Sequence, residues 1–427
     1  MSHRVLTGIT TTGTLHLGNY VGAIRPAVAA SRAPGVESFF FMADFHALIK
    51  CDEPDRIARS SRAIAATWVA AGLDTSRVTL YRQSDIPEIP ELSWLLTCVT
   101  AKGQMNRAHA YKAAVDAATA AGEDPDANVT MGLFSYPVLM AADILMFNAH
   151  RVPVGKDQVQ HIEMTRDIAQ RFNHLFGQGQ EFFVQPEAVV DAEMELLPGL
   201  DGRKMSKSYD NVIPLFQGGA KALKDAVARI VTDSKLPGEP KDPEGQTLVT
   251  LYDAFATPAQ RAAFRTALRE GLGWGEAKQQ LVALIEGQIG PMRAVYDDLM
   301  AHPEKLEALL QAGAARARAI AAPFLKTLRE AVGLRPYTQT AATTLAKAEK
   351  AALPVFKQYR EADGKFYFKL LAADGALLLQ SQAFEQGRDA GQWVARLKRE
   401  GWVADAPVQR EASDADIAAA LAAFQDD

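Results

Sequence analysis

The segment RVLTGITTTGTLHLGNYVGAI, residues 4–24, decides the fold because it changes from a β-rich run to a helical period across one short turn. The run from Arg4 to Ile9 is typical of a strand, and apolar side chains recur at spacings of three and four from Leu17 onward. The turn TTTG at 10–13 joins the two. A strand that enters a helix in this way begins a βαβ unit.

The same alternation continues beyond this segment. FFFM at 39–42 is a continuous apolar run that suits a central strand, and a helical period at 54–72 precedes a further β-rich run at 77–83. A second helix-rich block contains the strand-like run 151–154, and the sheet is expected to end near Val190. We therefore predict an α/β fold with a Rossmann-like, doubly wound parallel sheet.

The pattern changes after Val212 and becomes almost wholly helical. A stretch rich in Pro, Gly and Thr then predicts a linker, and alternating apolar residues on both sides of Asp374-Gly375 predict a hairpin followed by a helix. The predicted organisation is an α/β domain at 1–212, an all-helical domain at 213–334, a linker at 335–350 and a small α+β module of the ββα type at 351–427.

Composition excludes several classes of protein. The chain has 427 residues, 48% of them hydrophobic, and a formal net charge of −5, so it lacks the global positive field of a non-specific nucleic-acid binder. Its two cysteines predict neither a disulfide scaffold nor a structural zinc site. The first residues lack the apolar run of a signal peptide, and no apolar run reaches a membrane-spanning length. We expect a cytoplasmic protein.

Two short motifs point to nucleotide chemistry. GTLHLGNY at 13–20 lies at a strand end and on a helix's first turn, where free backbone N–H groups favour an anion. Neither a P-loop, which needs Lys-Ser/Thr where Asn19-Tyr20 stands, nor a GxGxxG motif is present. KMSKS at 204–208 places two ammonium groups in a loop, which suits a polyphosphate.

The HLGN turn and the intact KMSKS occur in that order, and with this pair the chain resembles the class I aminoacyl-tRNA synthetases, whose signatures are HIGH and KMSKS. The stretches at 135–145, 152–173 and 230–234 resemble the branch that joins tryptophan to tRNA(Trp). The resemblance covers about residues 4 to 334. It implies an enzyme that activates L-tryptophan with ATP and Mg²⁺, a helical domain that binds the anticodon arm, and a homodimer.

The resemblance also implies an ATP site. His16, Gly18 and Asn19 are expected to cradle the phosphates and the ribose end, and the KMSKS loop is expected to close over the pyrophosphate, with His16, Asn19, Lys204, Lys207 and Ser208 as the catalytic group. The other predicted ATP neighbours are Thr10, Thr11, Thr12, Lys112, Gly155, Lys156, Asp157, Leu197, Met205 and Ser206.

A tryptophan pocket has its own chemical requirement. Indole presents one N–H donor and no acceptor, so a selective site needs one buried acceptor in an apolar slot. Asp143 is the candidate, because Tyr136 and Met140 share its helix face and Ala and Ile-Leu pairs flank it. Val152 and Val154 alternate on a strand and would add an apolar wall. The substrate set implied by the resemblance is completed by Leu6, by His46 at a strand end and by Gln158 near the α-amino group.

Three alternatives stay open. A tyrosine enzyme shares both signatures and differs only in the 136–158 region, a catalytically silent paralogue would bind RNA alone, and a small-molecule nucleotidyltransferase shares only the first turn. Within the helical segment, basic residues Arg316, Arg318, Lys326 and Arg329 are candidates for anticodon contacts. The stretch 347–399 carries ten basic and six acidic side chains together with Phe366, Tyr367 and Phe368, which suggests a tRNA contact outside the synthetase pattern.

Overall fold

A computed structural model describes residues 3–11, 13–190, 197–335 and 353–424. The chain divides into two compact units, Met1–Arg335 and Pro336–Asp427. Most of the predicted linker at 335–350 lies outside the described residues.

A five-stranded parallel sheet forms the centre of the first unit, in the order β3-β2-β1-β4-β5. The central strand β1 therefore has β2 on one side and β4 on the other. The crevice beyond the carboxyl ends of β1 and β4 is the switch point of the topology, where ligands bind in open α/β sheets. The prediction of a Rossmann-like, doubly wound parallel sheet is confirmed. The strands are β1 His3–Thr10, β2 Val36–Ala43, β3 Thr79–Arg82, β4 Arg151–Pro153 and β5 Glu187–Val189.

In the described part of the first unit, fourteen α-helices surround the sheet or follow it. They are α1 Leu17–Asn19, α2 Arg25–Ala30, α3 Asp44–Ala47, α4 Pro54–Ala70, α5 Glu88–Thr97, α6 Lys102–Met105, α7 His109–Ala120, α8 Met131–Met146, α9 Val159–Phe176, α10 Gly219–Ala228, α11 Thr247–Phe255, α12 Pro258–Arg269, α13 Trp274–Ala301 and α14 Pro303–Ala331. A π-helical turn, Tyr20–Ile24, joins α1 to α2, and short 3₁₀ turns cover Gln83–Asp85, Lys156–Gln158 and Lys207–Tyr209.

Strand β2 explains why both faces of the sheet are covered. Phe40 and Met42 lie in one hydrophobic cluster, whereas Phe39 and Phe41 lie in the other, because successive side chains of a strand point to opposite faces. All four are buried. Burial of each such side chain stabilises the fold by about 1.5–3 kcal/mol, so the FFFM run requires helices on both sides.

The helices after residue 212 share this core. Trp68 of α4 and Ile285 of α13 belong to one cluster, and α14 packs along β3. Gly313 of α14 lies so close to the backbone of Leu80 that a Cβ would not fit there. The segment 213–334 is thus part of the same compact unit as the sheet.

The second unit is an antiparallel sheet with two helices. Its strands are β6 Val355–Arg360, β7 Phe366–Leu371, β8 Leu377–Ser381 and β9 Val408–Arg410, in sequential order, and its helices are α15 Gly387–Glu400 and α16 Asp414–Ala422. The predicted hairpin and following helix are present, and Gly375 occupies its turn with a φ of 90°. The sequence predicted two strands and one helix in this unit. The structure adds β6, β9 and α16, whose apolar residues do not recur as regularly as those of the hairpin.

Within the described ranges, none of the helices combines the length and the apolar character needed to span a membrane.

Candidate active site

A cavity of about 610 Å³ opens at the carboxyl ends of β1, β2 and β4. The rest of the cavity wall is formed by side chains from α3, α7, α8, α9 and the turn before α9. All eight residues that were expected to bind the amino acid line it: Leu6, His46, Tyr136, Met140, Asp143, Val152, Val154 and Gln158.

Asp143 is the buried acid of this cavity. Its side chain is 1% exposed, and Gln83 Nε2 donates to both carboxylate oxygens at 2.8 and 2.9 Å. His46 Nε2 donates to Oδ2 at 2.9 Å. The amide of Gln83 is fixed in this direction because its Oε1 accepts the backbone N–H of Phe45 at 3.0 Å. Both partners are donors, so Asp143 is held as an acceptor.

The surroundings of Asp143 act on its pKa in two directions. Burial raises the pKa above its usual value, and the hydrogen bonds from His46 and Gln83 oppose that rise. A carboxylate in a dry site attracts an N–H donor more strongly than one in water. The geometry therefore suits recognition of a single N–H group in an apolar slot, as indole requires.

A chain of aromatic and imidazole rings lies beside Asp143. The Tyr136 hydroxyl and His161 Nε2 are 2.8 Å apart, and the Tyr136 ring makes an edge contact with His46. Burial lowers the pKa of His161, with a further contribution from His109, so the imidazole is neutral at physiological pH. Burial and, next, the charge of Asp157 raise the pKa of Tyr136. This part of the wall is polar, in contrast to Val152 and Val154, which also line the cavity.

The HLGN turn begins the helical segment after β1. His16 has an extended backbone, and its N–H donates to Asn19 Oδ1 at 3.1 Å, so Asn19 closes the first turn. Burial, followed by the positive charge of Lys207, lowers the pKa of His16 to about 4. His16 is therefore a neutral imidazole at physiological pH.

The KMSKS loop is shaped by a residue that sequence reasoning missed. Buried Asn211 accepts the N–H of Ser206 at 2.8 Å and donates to the Lys204 carbonyl at 3.1 Å and to Asp201 Oδ1 at 2.7 Å. This bond from Asn211 and the contact with Arg203 hold the pKa of Asp201 at about 2. Three elements of the loop thus converge on one amide.

The structure brings the two motifs into contact. The N–H of Gly18 points at the Met205 sulfur at 3.4 Å, and the segment after the loop pairs with the turn through Leu17 N–H and the Ile213 carbonyl at 2.9 Å. A Cβ at Gly13 would lie 2.6 Å from the Lys207 ammonium nitrogen, so a larger residue there would push this side chain away from the turn. Lys207 is thereby held over the first turn, where a phosphate is expected.

The other predicted ATP neighbours are distributed unevenly. Thr10 and Asp157 line the cavity, Thr11 is buried, and Thr12 and the side chain of Ser208 lie outside the described residues. Gly155 and Lys156 form the turn before α9. Lys112 is exposed on α7, beside Ala113, which lines the cavity, and Leu197 is buried in the same core cluster as Met205, so their contacts with ATP stay predictions.

Gln83 and Asn211 are the functional candidates that the motifs did not reveal. Gln83 follows β3 as His46 follows β2, so the rule that strand ends carry ligand contacts could have found it. Asn211 carries no sequence signal, because its three bonds exist only in the folded loop.

We expect Asn211→Ala to lower the rate of amino-acid activation by about tenfold and to leave the KM for the amino acid unchanged, because it releases the lysine loop and not the cavity. Loss of a buried hydrogen-bonding partner costs about 1–3 kcal/mol. ATP–pyrophosphate exchange kinetics measure both quantities. Asn128→Ala, at an exposed position where the amide bonds to Glu123, is the control. An increased KM for the amino acid with an unchanged rate would contradict this assignment.

Fold and site together define a class. A parallel sheet whose central strand enters an HLGN turn, with a KMSKS loop held against that turn, is the architecture of a class I aminoacyl-tRNA synthetase.

Comparisons with known proteins identify the branch. A family model described as tRNA synthetases class I (W and Y) matches residues 1–286. A tryptophan–tRNA ligase of Pseudomonas putida is 63% identical over 412 residues, 96% of this chain and 91% of the relative. The ligase of Xanthomonas axonopodis pv. citri is 59% identical over 99% of this chain and 98% of the relative. The structure of the Campylobacter jejuni tryptophanyl-tRNA synthetase complexed with ADP and tryptophan is 38% identical, covers 78% of this chain and all of that one, and has a TM-score of 0.71.

The chain belongs to the class I tRNA synthetases for tryptophan and tyrosine, and within that family to the tryptophan–tRNA ligases. The alternative of a tyrosine enzyme is not supported at these identities. The match to the Xanthomonas ligase extends over almost the whole chain, so it includes the second unit.

Proposed function

We propose that this tryptophan–tRNA ligase selects its amino acid through Asp143, which accepts the indole N–H at the end of the cavity. One observation carries the proposal: a nearly inaccessible carboxylate faces the cavity with Gln83 and His46 fixed as donors on its other sides. Met140, Val152 and Val154 would cover the indole faces. A phenol needs both a donor and an acceptor, so this arrangement favours indole.

We further propose that activation depends on position and charge. The amino-acid carboxylate is ionised at neutral pH and attacks the α-phosphate of ATP, which expels pyrophosphate, so no general base is needed. Mg²⁺ enters with the substrate on the phosphate oxygens. Lys204 and Lys207 would neutralise the charge that builds on the leaving pyrophosphate. Neutral His16 and the N–H groups of the HLGN turn would bind phosphate oxygens from the opposite side.

The second step transfers tryptophan to tRNA. We propose that the segment 213–334 binds the anticodon arm of this tRNA. Exposed Lys221 and Lys224 on α10 support it. Three of the basic residues named for this role have partners within the chain: Arg316 donates to the carbonyls of Thr75 and Val78, Arg318 binds Glu88 and Arg329 binds Glu91. These arginines secure α14 against the rest of the unit.

We also propose a cytoplasmic homodimer. A tRNA-charging role supports the location. Trp94 on α5 is 66% exposed and Met131 at the start of α8 is 73% exposed, and large apolar side chains at the surface favour an interface. Sedimentation at several protein concentrations measures the oligomeric state, and a monomer at micromolar concentration would contradict this part.

Amino-acid-dependent ATP–pyrophosphate exchange with each of the twenty amino acids tests the proposal. We expect exchange with tryptophan and at most a trace with tyrosine, because Asp143 is held as an acceptor, whereas a phenol hydroxyl also needs a donor beside it. Comparable exchange with tyrosine would refute the role of Asp143. No exchange with any amino acid would favour a catalytically silent paralogue.

A further inference from the structure

The sheet of the second unit has two chemically different faces. Phe368, Leu370 and Leu379 point to the face covered by α15 and α16, where they are buried. Alternation along a strand places Tyr367 and Lys369 on the opposite face. Neither helix of this unit's described residues covers that side. We call it the open face and define it by Lys357, Tyr359, Tyr367, Lys369 and Gln380.

The register assembles these five side chains into one patch. Tyr359 pairs with Tyr367, Lys357 pairs with Lys369, and Lys369 pairs in turn with Gln380. The two tyrosine rings are stacked with centroids 5.8 Å apart and an interplanar angle of 20°. The Lys369 ammonium lies 5.1 Å from the Tyr359 ring centre. A pair of parallel rings therefore adjoins a pair of cations.

The two lysines are unfavourable neighbours in the free protein. Like charges directly opposite each other on a sheet are destabilising. In the part of the chain that the structure describes, neither lysine forms an ion pair with a carboxylate, whereas nearby Lys365 binds Glu385. An anion placed between Lys357 and Lys369 would relieve this repulsion. The patch thus has the charge that a phosphate requires.

A hydrogen bond within the chain orients the Tyr367 ring. The Tyr367 hydroxyl donates to Asp363 Oδ2 at 2.7 Å, and this bond raises the pKa of Tyr367 to about 12. The ring is therefore neutral and oriented. Asp363 lies in the turn after β6, beyond the tyrosine pair, whereas the lysines lie one step in the other direction along the strands. A phosphate backbone would follow the lysine side and avoid the acidic turn.

We propose that the open face binds unpaired nucleotides of the tRNA that this enzyme charges, with bases stacked on Tyr359 and Tyr367 and phosphates beside Lys357 and Lys369. Aromatic side chains on a sheet surface with adjacent cations are the general chemistry of single-stranded RNA binding. Phe366 and Phe368, named with Tyr367 at the level of sequence, do not take part, because the pleat turns them to the helix-covered face.

The test uses the full-length enzyme and a transcript of tRNA(Trp). Tyr359→Ala with Tyr367→Ala is expected to weaken tRNA binding at least about tenfold, since stacking of each base contributes roughly 5- to 150-fold. Lys357→Gln with Lys369→Gln is expected to reduce the slope of log affinity against log salt by about 1.4, at about 0.7 per phosphate contact. Tyrosine-to-phenylalanine changes at both positions should retain wild-type affinity, because the stacking surface remains.

Two controls separate this proposal from other outcomes. ATP–pyrophosphate exchange should be unchanged in every variant, so a failure here is distinct from a failure of the amino-acid site. Arg388→Gln with Arg399→Gln removes two positive charges from α15 and should leave the salt slope as in the wild type. Unchanged tRNA affinity and salt slope in both open-face pairs would overturn the proposal. The same result with an altered sedimentation coefficient would also overturn it and would assign the face to a protein contact. If the double tyrosine variant melts at a lower temperature than the wild type, the salt slope of the double lysine variant alone decides whether the proposal stands.

Discussion

Replacement of Lys207 by alanine is expected to lower kcat for tryptophan activation by about 10²–10³-fold, the usual cost of removing one group that stabilises transition-state charge. The ammonium group lies over Gly13 in the first turn after β1, against the HLGN segment. Its charge is needed most when pyrophosphate leaves, so the KM for ATP should change much less than kcat. Steady-state exchange kinetics give both values. Lys221→Ala, at an exposed site on α10, is the matched control.

The pH profile provides a second measurement for Lys207. Burial, and next the charge of Arg56, lowers the pKa of this ammonium below its usual value. The cationic form is therefore lost at a lower pH than in an ordinary lysine, and the rate should fall early on the alkaline limb. Lys207→Arg keeps its charge throughout this range and should remove that limb. If the rate of the wild type and of Lys207→Arg fell at the same alkaline pH, the fall could not be assigned to Lys207. His16, with a pKa of about 4, should produce no inflection near neutrality.

Replacement of Asp143 by asparagine is expected to reduce kcat/KM for tryptophan at least about a hundredfold. A site built to bond a substrate N–H loses most of its discrimination when the partner group is changed. The amide presents one acceptor where the carboxylate has two, and Gln83 occupies it. An analogue with sulfur in place of the indole N–H should be a poor substrate for the wild type and nearly as good as tryptophan for the variant. Equal discrimination by both proteins would contradict the role of Asp143.

The same variant separates function from stability. Burial raises the pKa of Asp143, so the folded protein holds a proton there more readily than the unfolded chain does. As pH rises from the unfolded-state pKa through the folded-state pKa, ionisation of Asp143 therefore lowers the stability of the fold. Asparagine removes the buried charge, and its NH₂ group keeps the bond to His46 when that ring presents Nε2 as the acceptor. We expect its melting temperature at neutral pH to equal or exceed that of the wild type, although activity falls. Asp167→Asn on α9, an exposed carboxylate, serves as the control.

Much of this protein follows from local chemistry in the chain. Two sequence patterns predict the parallel sheet: the change from a β-rich run to a helical period at 4–24, and the apolar run at 39–42. Each pattern places its apolar side chains in the core in only one type of secondary structure. The need of indole for one acceptor, with the spacing of Tyr136, Met140 and Asp143, predicts the content of the cavity. The sheet is confirmed, and the three side chains line one cavity because neighbours in sequence share one helix face.

Tertiary structure alone decided the remainder. Gln83 meets Asp143 across 60 positions of sequence, and Asn211 organises the lysine loop through bonds that exist only after the loop has folded. The helices after Val212 joined the sheet in one core because α13 and α14 bury their apolar stripes against it. In the second unit the pleat of β7 divided Phe366, Tyr367 and Phe368 between two faces. Sequence patterns specify which side chains a surface will carry; which of them meet depends on contacts between distant segments, and local periodicity does not encode those contacts.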